Sequence, residues 1–534
     1  FELAHHANLG AACLTAEEAA QASTLNARAG RKARAAGAFA AARHHLLQAE
    51  RHLPADAWDM QPQQRFELAL DLAECESLTG HAEAGEQQLD TALQQARSQP
   101  QRIQVHALRS RLRLYASQYA PALAAALDAL RLLGIELPDD DEALRPLQIR
   151  EHAALTRLLA GRDAAALLHL PPMQDPSALA ALELLVNAFF PARNTRPALF
   201  PLLVIKAVTL SVRHGHAVPS CQAYAQYPRL LRAEGRLREC YDFSQLSLRL
   251  AERLGAAGQE GSLLFSHLAS SYFLRRPYAS GLPLLEQGFT ASLQSGNSYG
   301  AAGCALVTQE YLLESGAPLS QLVACAELHA PHLTGLWPRM LRGWRQFARA
   351  LQGLTSAPDR LDGDGFDESA YLADLGRANA VPLMAVHHVL MQVAACLAGQ
   401  HGRALDLADR ASALLRPLAG SAIEITHRHY RALSVAASCP GPLLPAEAAA
   451  QLRAEIDALQ PLADACPRNF QHRVQLMAAE LARVEGRPLD AGRLYDQAID
   501  AARQQGFVHH EAQALERAAA FHHELGQRHV AQAC

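Results

Sequence analysis

LNARAGRKARAAGAFAAARHHLLQAERHLP, residues 25–54, reads as two helices joined by a turn. Alanine, leucine, arginine, glutamine and glutamate dominate it, all strong helix formers. Gly30 and Ala42 are small enough to let the two helices approach closely, Phe39 and Leu46 fill the groove between them, and Ala49 continues the packed face. Gly37 interrupts the pattern between the helices, and Pro54 ends the second because its ring nitrogen has no hydrogen to donate. A later stretch, AELARVEGRPLDAGRLYDQAIDAA (479–502), repeats the arrangement with Ala479, Gly486, Ala491, Tyr495 and Ala498. Weaker copies surround Gly85, Leu89 and Ala92, then Tyr119, Ala122 and Ala126, then Cys240, Gly281 with Leu285, and Ala404 with Ala408.

In the first stretch Gly30, Ala33, Gly37, Phe39, Ala42, Leu46, Ala49 and Pro54 fall at positions 8, 11, 15, 17, 20, 24, 27 and 32 of the 34-residue tetratricopeptide repeat, which it resembles. Breakers recur along the chain at Gly37, Gly80, Ser117, Gly235, Gly399, Gly486 and Gly526, each followed by another amphipathic segment. The small residues that open second helices are spaced 43 (Ala42 to Gly85), 37 (Gly85 to Ala122), 41 (Cys240 to Gly281) and 40 residues (Ala491 to Ala531) apart. The expected architecture is therefore all-α: a right-handed superhelical solenoid of tetratricopeptide-like helix hairpins with a period near 40 residues. Some eleven to thirteen units would stack, with a curved inner surface as the usual binding site.

Two stretches interrupt the rhythm. LLGIELPDDDEALRPL (132–147) carries a proline turn and an acidic run that caps the next helix, and LTSAPDRLDGDGFDESAYL (354–372) is a turn-rich loop. They divide the chain into N-terminal repeats (1–131), an irregular helical connection (132–215), middle repeats (216–353), the loop (354–372) and C-terminal repeats (373–534), the last of them truncated in ERAAAFHHELGQRHVAQAC.

Composition narrows the function. With 534 residues, half of them hydrophobic, the chain can bury a large core. A net charge of -4 supplies no field to collect nucleic acid or anionic lipid, so no nucleic-acid partner is expected. No run of 18 apolar residues is present, so no membrane insertion is expected, and nothing resembles a signal peptide. The chain reads as an excised piece of a cytoplasmic protein. The ten cysteines, at 13, 75, 221, 240, 304, 325, 396, 439, 466 and 534, form no CxxC pair, which points to reduced, mostly buried thiols.

The residues that could carry chemistry do not assemble into a known pattern, and no catalytic, cofactor-binding or metal-binding residue is assigned. Lys32 and Lys206, the two lysines, do not follow a glycine-rich phosphate loop. Histidine pairs at 5–6, 44–45, 387–388, 509–510 and 522–523 give one ligand per helix face, whereas a helical metal site wants i and i+4; His509 or His510 could meet His522 or His523 only between two packed helices. Asp359, Asp362, Asp364, Asp367 and Glu368 lack the ligand spacing of a calcium loop, and Asp367 suits a helix N-cap. No GxSxG elbow occurs. Arg28, Arg31 and Arg109 are candidates to clamp a partner's carboxylate from first helices.

Four phrases, LLGIELPDD (132–140), LLHLPPMQDPSALAALELL (167–185), DGFDESAYLADL (364–375) and the segment from Cys466 to His522, resemble the central region of bacterial multidomain signalling proteins. Those combine a serine/threonine kinase, an AAA-type (STAND-class) ATPase and a sensor histidine kinase around a long tetratricopeptide-like region. The opening residues 1–33 resemble the junction after the ATPase module. The resemblance implies a non-catalytic regulatory module that binds a protein partner, its own flanking domains or a small effector. The kinase and ATPase motifs belong to those flanking domains, so no functional residue carries over and no cofactor is expected in this segment. A free-standing scaffold, an enzyme with a site assembled between repeats, and the ligand-sensing domain of an ATPase-type transcription regulator are the alternatives.

Overall fold

The computed structural model describes residues 1–438 and 446–534, and Cys439 lies outside them. The chain divides into two compact units, Phe1–Ala160 with Pro171–Pro219 and Gly161–Leu170 with Ser220–Cys534. Each is an all-α stack of antiparallel helix hairpins of the tetratricopeptide type, as the sequence leads one to expect.

In the first unit a short helix α1 (Glu2–Leu9) leans on α2 (Ala16–Ala35), which pairs with α3 (Phe39–Arg51). Thr15 caps α2: its hydroxyl accepts the Glu18 amide while the Glu18 carboxylate accepts the Thr15 amide, so two orphan donors are satisfied at once. After the single turn α4 (Ala57–Met60) come the hairpins α5 (Pro62–Leu78) with α6 (Ala82–Gln95) and α7 (Gln99–Tyr115) with α8 (Tyr119–Leu132). Gly37 turns the first hairpin at φ 74°, and Ser117 turns the third at φ 58°, a conformation rare for a residue with a Cβ.

Residues 132–215 contain long helices whose spatial order is not their sequence order. The acidic run starts α9 (Asp141–Leu159), with Asp140 as its N-cap. The short α10 (Ala164–Leu167) belongs to the second unit. The chain then returns as α11 (Pro176–Thr195), which packs on α8, and α12 (Phe200–His214), which packs on α11 and α9.

The boundary between the units falls within α13 (Val218–Gln226). In the second unit α14 (Pro228–Ala233) pairs with α15 (Leu237–Arg253), α16 (Glu260–Ser270) with α17 (Leu282–Gln294), α18 (Ser298–Glu314) with α17 and α19 (Leu319–His329), and α19 with α20 (Trp337–Leu351). Past the loop, α21 (Glu368–Arg377) leads to the pairs α22 (Val381–Leu397) with α23 (His401–Leu414), α24 (Ala422–Ala437) with α25 (Ala446–Ala465), α26 (Pro467–Val484) with α27 (Pro488–Gln505), and α28 (Val508–Glu524) with α29 (Arg528–Ala533).

Helices in both units range widely in burial. In the first, α2 buries 7 of its 20 residues and α7 buries 6 of 17, leaving a polar face outside. In the second, α18 buries 13 of 17 and α24 buries 12 of 16. Helices buried this fully are enclosed on every side rather than laid on a surface.

Candidate functional site

The repeat positions hold the hairpins together. A Cβ at Gly30 would lie 2.6 Å from Cγ of Leu46, so only glycine fits where α2 crosses α3. Ala42, Leu46 and Ala49 are fully buried in that crossing, Phe39 packs at its edge, and Pro54 is exposed beyond the end of α3. In the later hairpin Gly486 turns the chain at φ 70°, and Ala491, Tyr495 and Ala498 are buried. The Tyr495 hydroxyl donates to Glu480, itself fully buried and ion-paired to Arg483 and Arg517 at 2.9 and 2.6 Å. Burial alone would raise the Glu480 carboxyl; the two guanidinium groups and Tyr495 hold it below the usual range.

The clamp candidates do not converge. Arg31 on α2 is 2.6 Å from Asp71 and 3.0 Å from Glu67 on α5, and Arg34 is 2.6 Å from Asp71 and 2.8 Å from Glu74. Glu74 in turn accepts from Arg111 on α7 at 2.9 Å. Three successive first helices therefore carry one row of alternating, partly exposed charges, each bonded to the next repeat. Arg109 is buried against Glu86 and Asp90 of α6, and Arg28 is exposed. Pairs this open to water contribute only about 0–1 kcal/mol each, so the row does more to fix side-chain direction than to stabilise the unit. Lys32 sits 5.7 Å from the Phe1 ring, and Lys206 lies 3.7 Å from Glu151.

The acidic loop is used internally. Asp359 pairs with Arg403 at 2.5 Å, Asp364 with Arg345 at 2.7 Å, and Asp362 accepts the Glu368 amide. Asp367 caps α21 by accepting the Ala370 amide at 2.8 Å. Glu368 bonds His387 and the Leu361 amide, which outweigh burial and lower its pKa. With these partners the carboxylates hold the loop against its neighbours. Among the described residues no group of three or more histidine, cysteine or acidic side chains is arranged to hold a metal ion.

The histidines show a pattern that pair-counting misses. His509, His510, His522 and His523 all lie on α28, so the two pairs cannot face one another across a helix interface. His510 instead meets His472 of α26, ring nitrogen to ring nitrogen at 2.8 Å, and lies 5.5 Å centroid to centroid from His429 of α24. The His429 ring Nε2–H donates to the Gln513 side-chain oxygen at 3.1 Å. Beside them Arg473 pairs with Glu314 of α18 at 2.5 Å, and both are essentially without solvent exposure. Thr426 also donates to Glu314. Asn469 donates to the carbonyls of Phe273 and Arg276 at 2.7 and 2.8 Å. The contacts of Glu314 and Asn469 join residues more than 100 positions apart, all inside the second unit. Its inner face is filled by its own helices. No periodic signal marks Glu314, Thr426 or Arg473, whereas His429, His472 and His510 recur at 43 and 38 residues, close to the repeat period; the sequence of α18, SYGAAGCALVTQEYLLE, has no polar stripe.

A cleft of about 210 Å³ lies between the α14–α15 turn, α24 and α25, lined by Arg232, Leu237, Glu424, Ile425, Arg428 and Leu459 among others. A smaller one of about 60 Å³ lies near His401 and Arg517. No helix of the described residues is long and apolar enough to cross a membrane.

No family model matches the chain, and no curated protein matches it. Among solved structures it is similar to yeast Tom70, at 13% identity over 95% of this chain and 96% of that one with a TM-score of 0.21. It is also similar to a structure of Naa15/Naa10 bound to HypK-THB, at 12% identity over 97% of this chain and 90% of that one with a TM-score of 0.25. The tetratricopeptide-like, all-α character of the chain rests on the helix pairing described above.

Proposed function

We propose that the chain is a non-catalytic regulatory and protein-interaction module of a bacterial signal-transduction ATPase-kinase. It binds a protein partner, its own flanking domains or a small effector, and couples that event to ATPase and kinase modules in the cytoplasm. The observation that carries the interaction reading is the charged row on α2, α5 and α7. Arg31, Arg34, Glu67, Glu74 and Arg111 stand partly exposed on successive first helices, oriented by one another. Fixed, alternating charge of this kind favours a partner of complementary pattern and disfavours others. The signalling context is supported by the phrases at 132–140, 167–185, 364–375 and 466–522.

The test is to read the coding sequence on both sides and to express the segment with and without those flanks, assaying ATP turnover and phosphotransfer. Kinase and ATPase signatures upstream, with activity that changes when the array is removed and again when Arg111→Glu breaks the row, are the expected result. Flanks empty of those signatures would replace this reading with a free-standing scaffold. A DNA-binding helix-turn-helix beyond residue 534 would replace it with a transcription regulator.

A further inference from the structure

The second unit closes on itself where the end of α18 meets α24, α26 and α28. Helix α18 brings Glu310 and, one turn later, Glu314, while α24 brings Thr426, His429 and Tyr430. His472 and Arg473 come from α26, and His509, His510 and Gln513 from α28. The His509 ring lies over the turn that ends α18, so close that a Cβ at Gly316 would be 2.4 Å from its Nδ1. Tyr278 packs edge-to-face against Tyr311 and Phe470 at the edge of the same junction. Two nitrogens of the Arg473 guanidinium and one ring nitrogen each of His429, His472 and His509 are buried without a hydrogen-bond partner. Hairpin packing does not need these groups, and burying them is costly.

We propose that this junction is a proton-sensitive latch: it opens and shuts as a unit, α18 parting from α24, α26 and α28, while the hairpins on either side stay folded.

The charges facing the latch set its behaviour. Burial, then Arg473, pushes His429 and His509 down to about 3, and burial with the neighbouring Arg473 and histidine charges holds His472 and His510 well below their ordinary value. Burial, then the Glu314 charge, pushes Glu310 up to about 8. Tyr278, Tyr311 and Tyr430 are raised by burial and stay neutral, as does Cys396 beside Tyr430. Opening returns each group to water and to its ordinary value. Below about pH 6.5 the open form takes up as many as four protons on the histidines, and above about pH 4.5 it gives up the one that Glu310 holds when shut. One proton of difference is about tenfold per pH unit in the closing equilibrium. Closure should therefore be tightest at about pH 7, where the protons gained on the four histidines balance the one lost from Glu310, loosening by up to about tenfold per unit toward pH 8 and by up to roughly a thousandfold per unit below about 6.5.

The test uses the whole chain carrying Thr426→Cys, whose thiol lies beneath Glu314 when the latch is shut. Its maleimide labelling rate is followed from pH 5 to 8.5 against a free thiol standard, with the native buried Cys304 read in the same sample by mass spectrometry. The expected result is a slowest rate at about pH 7, a steep acid limb and a shallow basic limb, with Cys304 staying protected. Glu310→Gln should flatten the basic limb, and His429→Gln should lower the acid slope by about tenfold per unit. Labelling in step with Cys304 at every pH means that the unit unfolds as a whole and overturns the proposal, as does a rate independent of pH. Amide exchange of the 313–317 turn in the unaltered chain reads the same equilibrium should the cysteine variant not fold.

Discussion

Replacing Gly30 and Gly492, one at a time, by alanine should move stability in opposite directions. Both glycines lie inside helices, α2 and α27, where alanine ordinarily adds about 1 kcal/mol by restricting the unfolded chain and favouring helix. At Gly492 the added methyl meets only the edge of Phe521, at 3.9 Å, so that gain should appear almost whole. At Gly30 it would stand 2.6 Å from Cγ and 2.8 Å from Cδ2 of Leu46, and 3.2 Å from the Ala42 carbonyl oxygen. Leu46 and Ala42 have no solvent-exposed surface into which to retreat. The helices must separate, and overpacking of this kind costs about 1–3 kcal/mol. After the propensity gain, Gly30→Ala should be destabilising by up to about 2 kcal/mol, leaving the variants about 1–3 kcal/mol apart. The two sites lie in different units, so amide exchange in a urea series, read on α2–α3 and on α27, is the assay. A Gly30→Ala chain as stable as Gly492→Ala would refute the close crossing of α2 and α3 and with it the repeat register.

Arg473→Met should destabilise the second unit by about 3–5 kcal/mol in urea unfolding, because it strands the Glu314 charge; adding Glu314→Gln should recover much of that loss. Ser117→Gly should stabilise the first unit by about 1 kcal/mol by relieving a left-handed residue with a Cβ, measured as a rise in its urea midpoint. Burial pushes the thiols of Cys221, Cys240 and Cys304 up to about 12, so alkylation at pH 8 followed by mass spectrometry should label the exposed Cys13 and Cys534 first and leave those three intact until unfolding.

The parts of the fold that sequence reveals are local. Gly30 with Ala42, and Gly486 with Ala491 and Tyr495, announce their hairpins because close helix crossing admits few side chains at fixed spacing. All seven breakers, from Gly37 to Gly526, take positive φ, since ending one helix and starting another in three residues demands it. Asp140 and Asp367 are found as caps because their partners lie two or three residues away. The charged row and the latch are different. Arg31 and Glu67 belong to consecutive repeats, and which of many arginines finds which carboxylate depends on the step between hairpins. Glu314 and Arg473 are 159 positions apart, and nothing local to either names the other. The histidines at 429, 472 and 510 stand 43 and 38 positions apart on α24, α26 and α28, so the stacking of neighbouring repeats gathers them, and the closure then sets Arg473 and Glu314 beside them.

The closure also sets when the second unit can finish folding. An open stack of repeats can nucleate anywhere and spread to its neighbours, so the first unit can acquire structure hairpin by hairpin as it leaves the ribosome. The second must wait: Phe273, Arg276 and Glu314 gain their partners only after Asn469 and Arg473 have been translated. At synthesis rates of about 5–20 residues per second, that leaves the Glu314 end of α18 without Arg473 for some 10–30 seconds, while α16, α17 and α19 already cover the rest of the helix. With its buried Glu314 awaiting Arg473, that end of α18 is expected to be the last part of the helix to reach its final packing during synthesis.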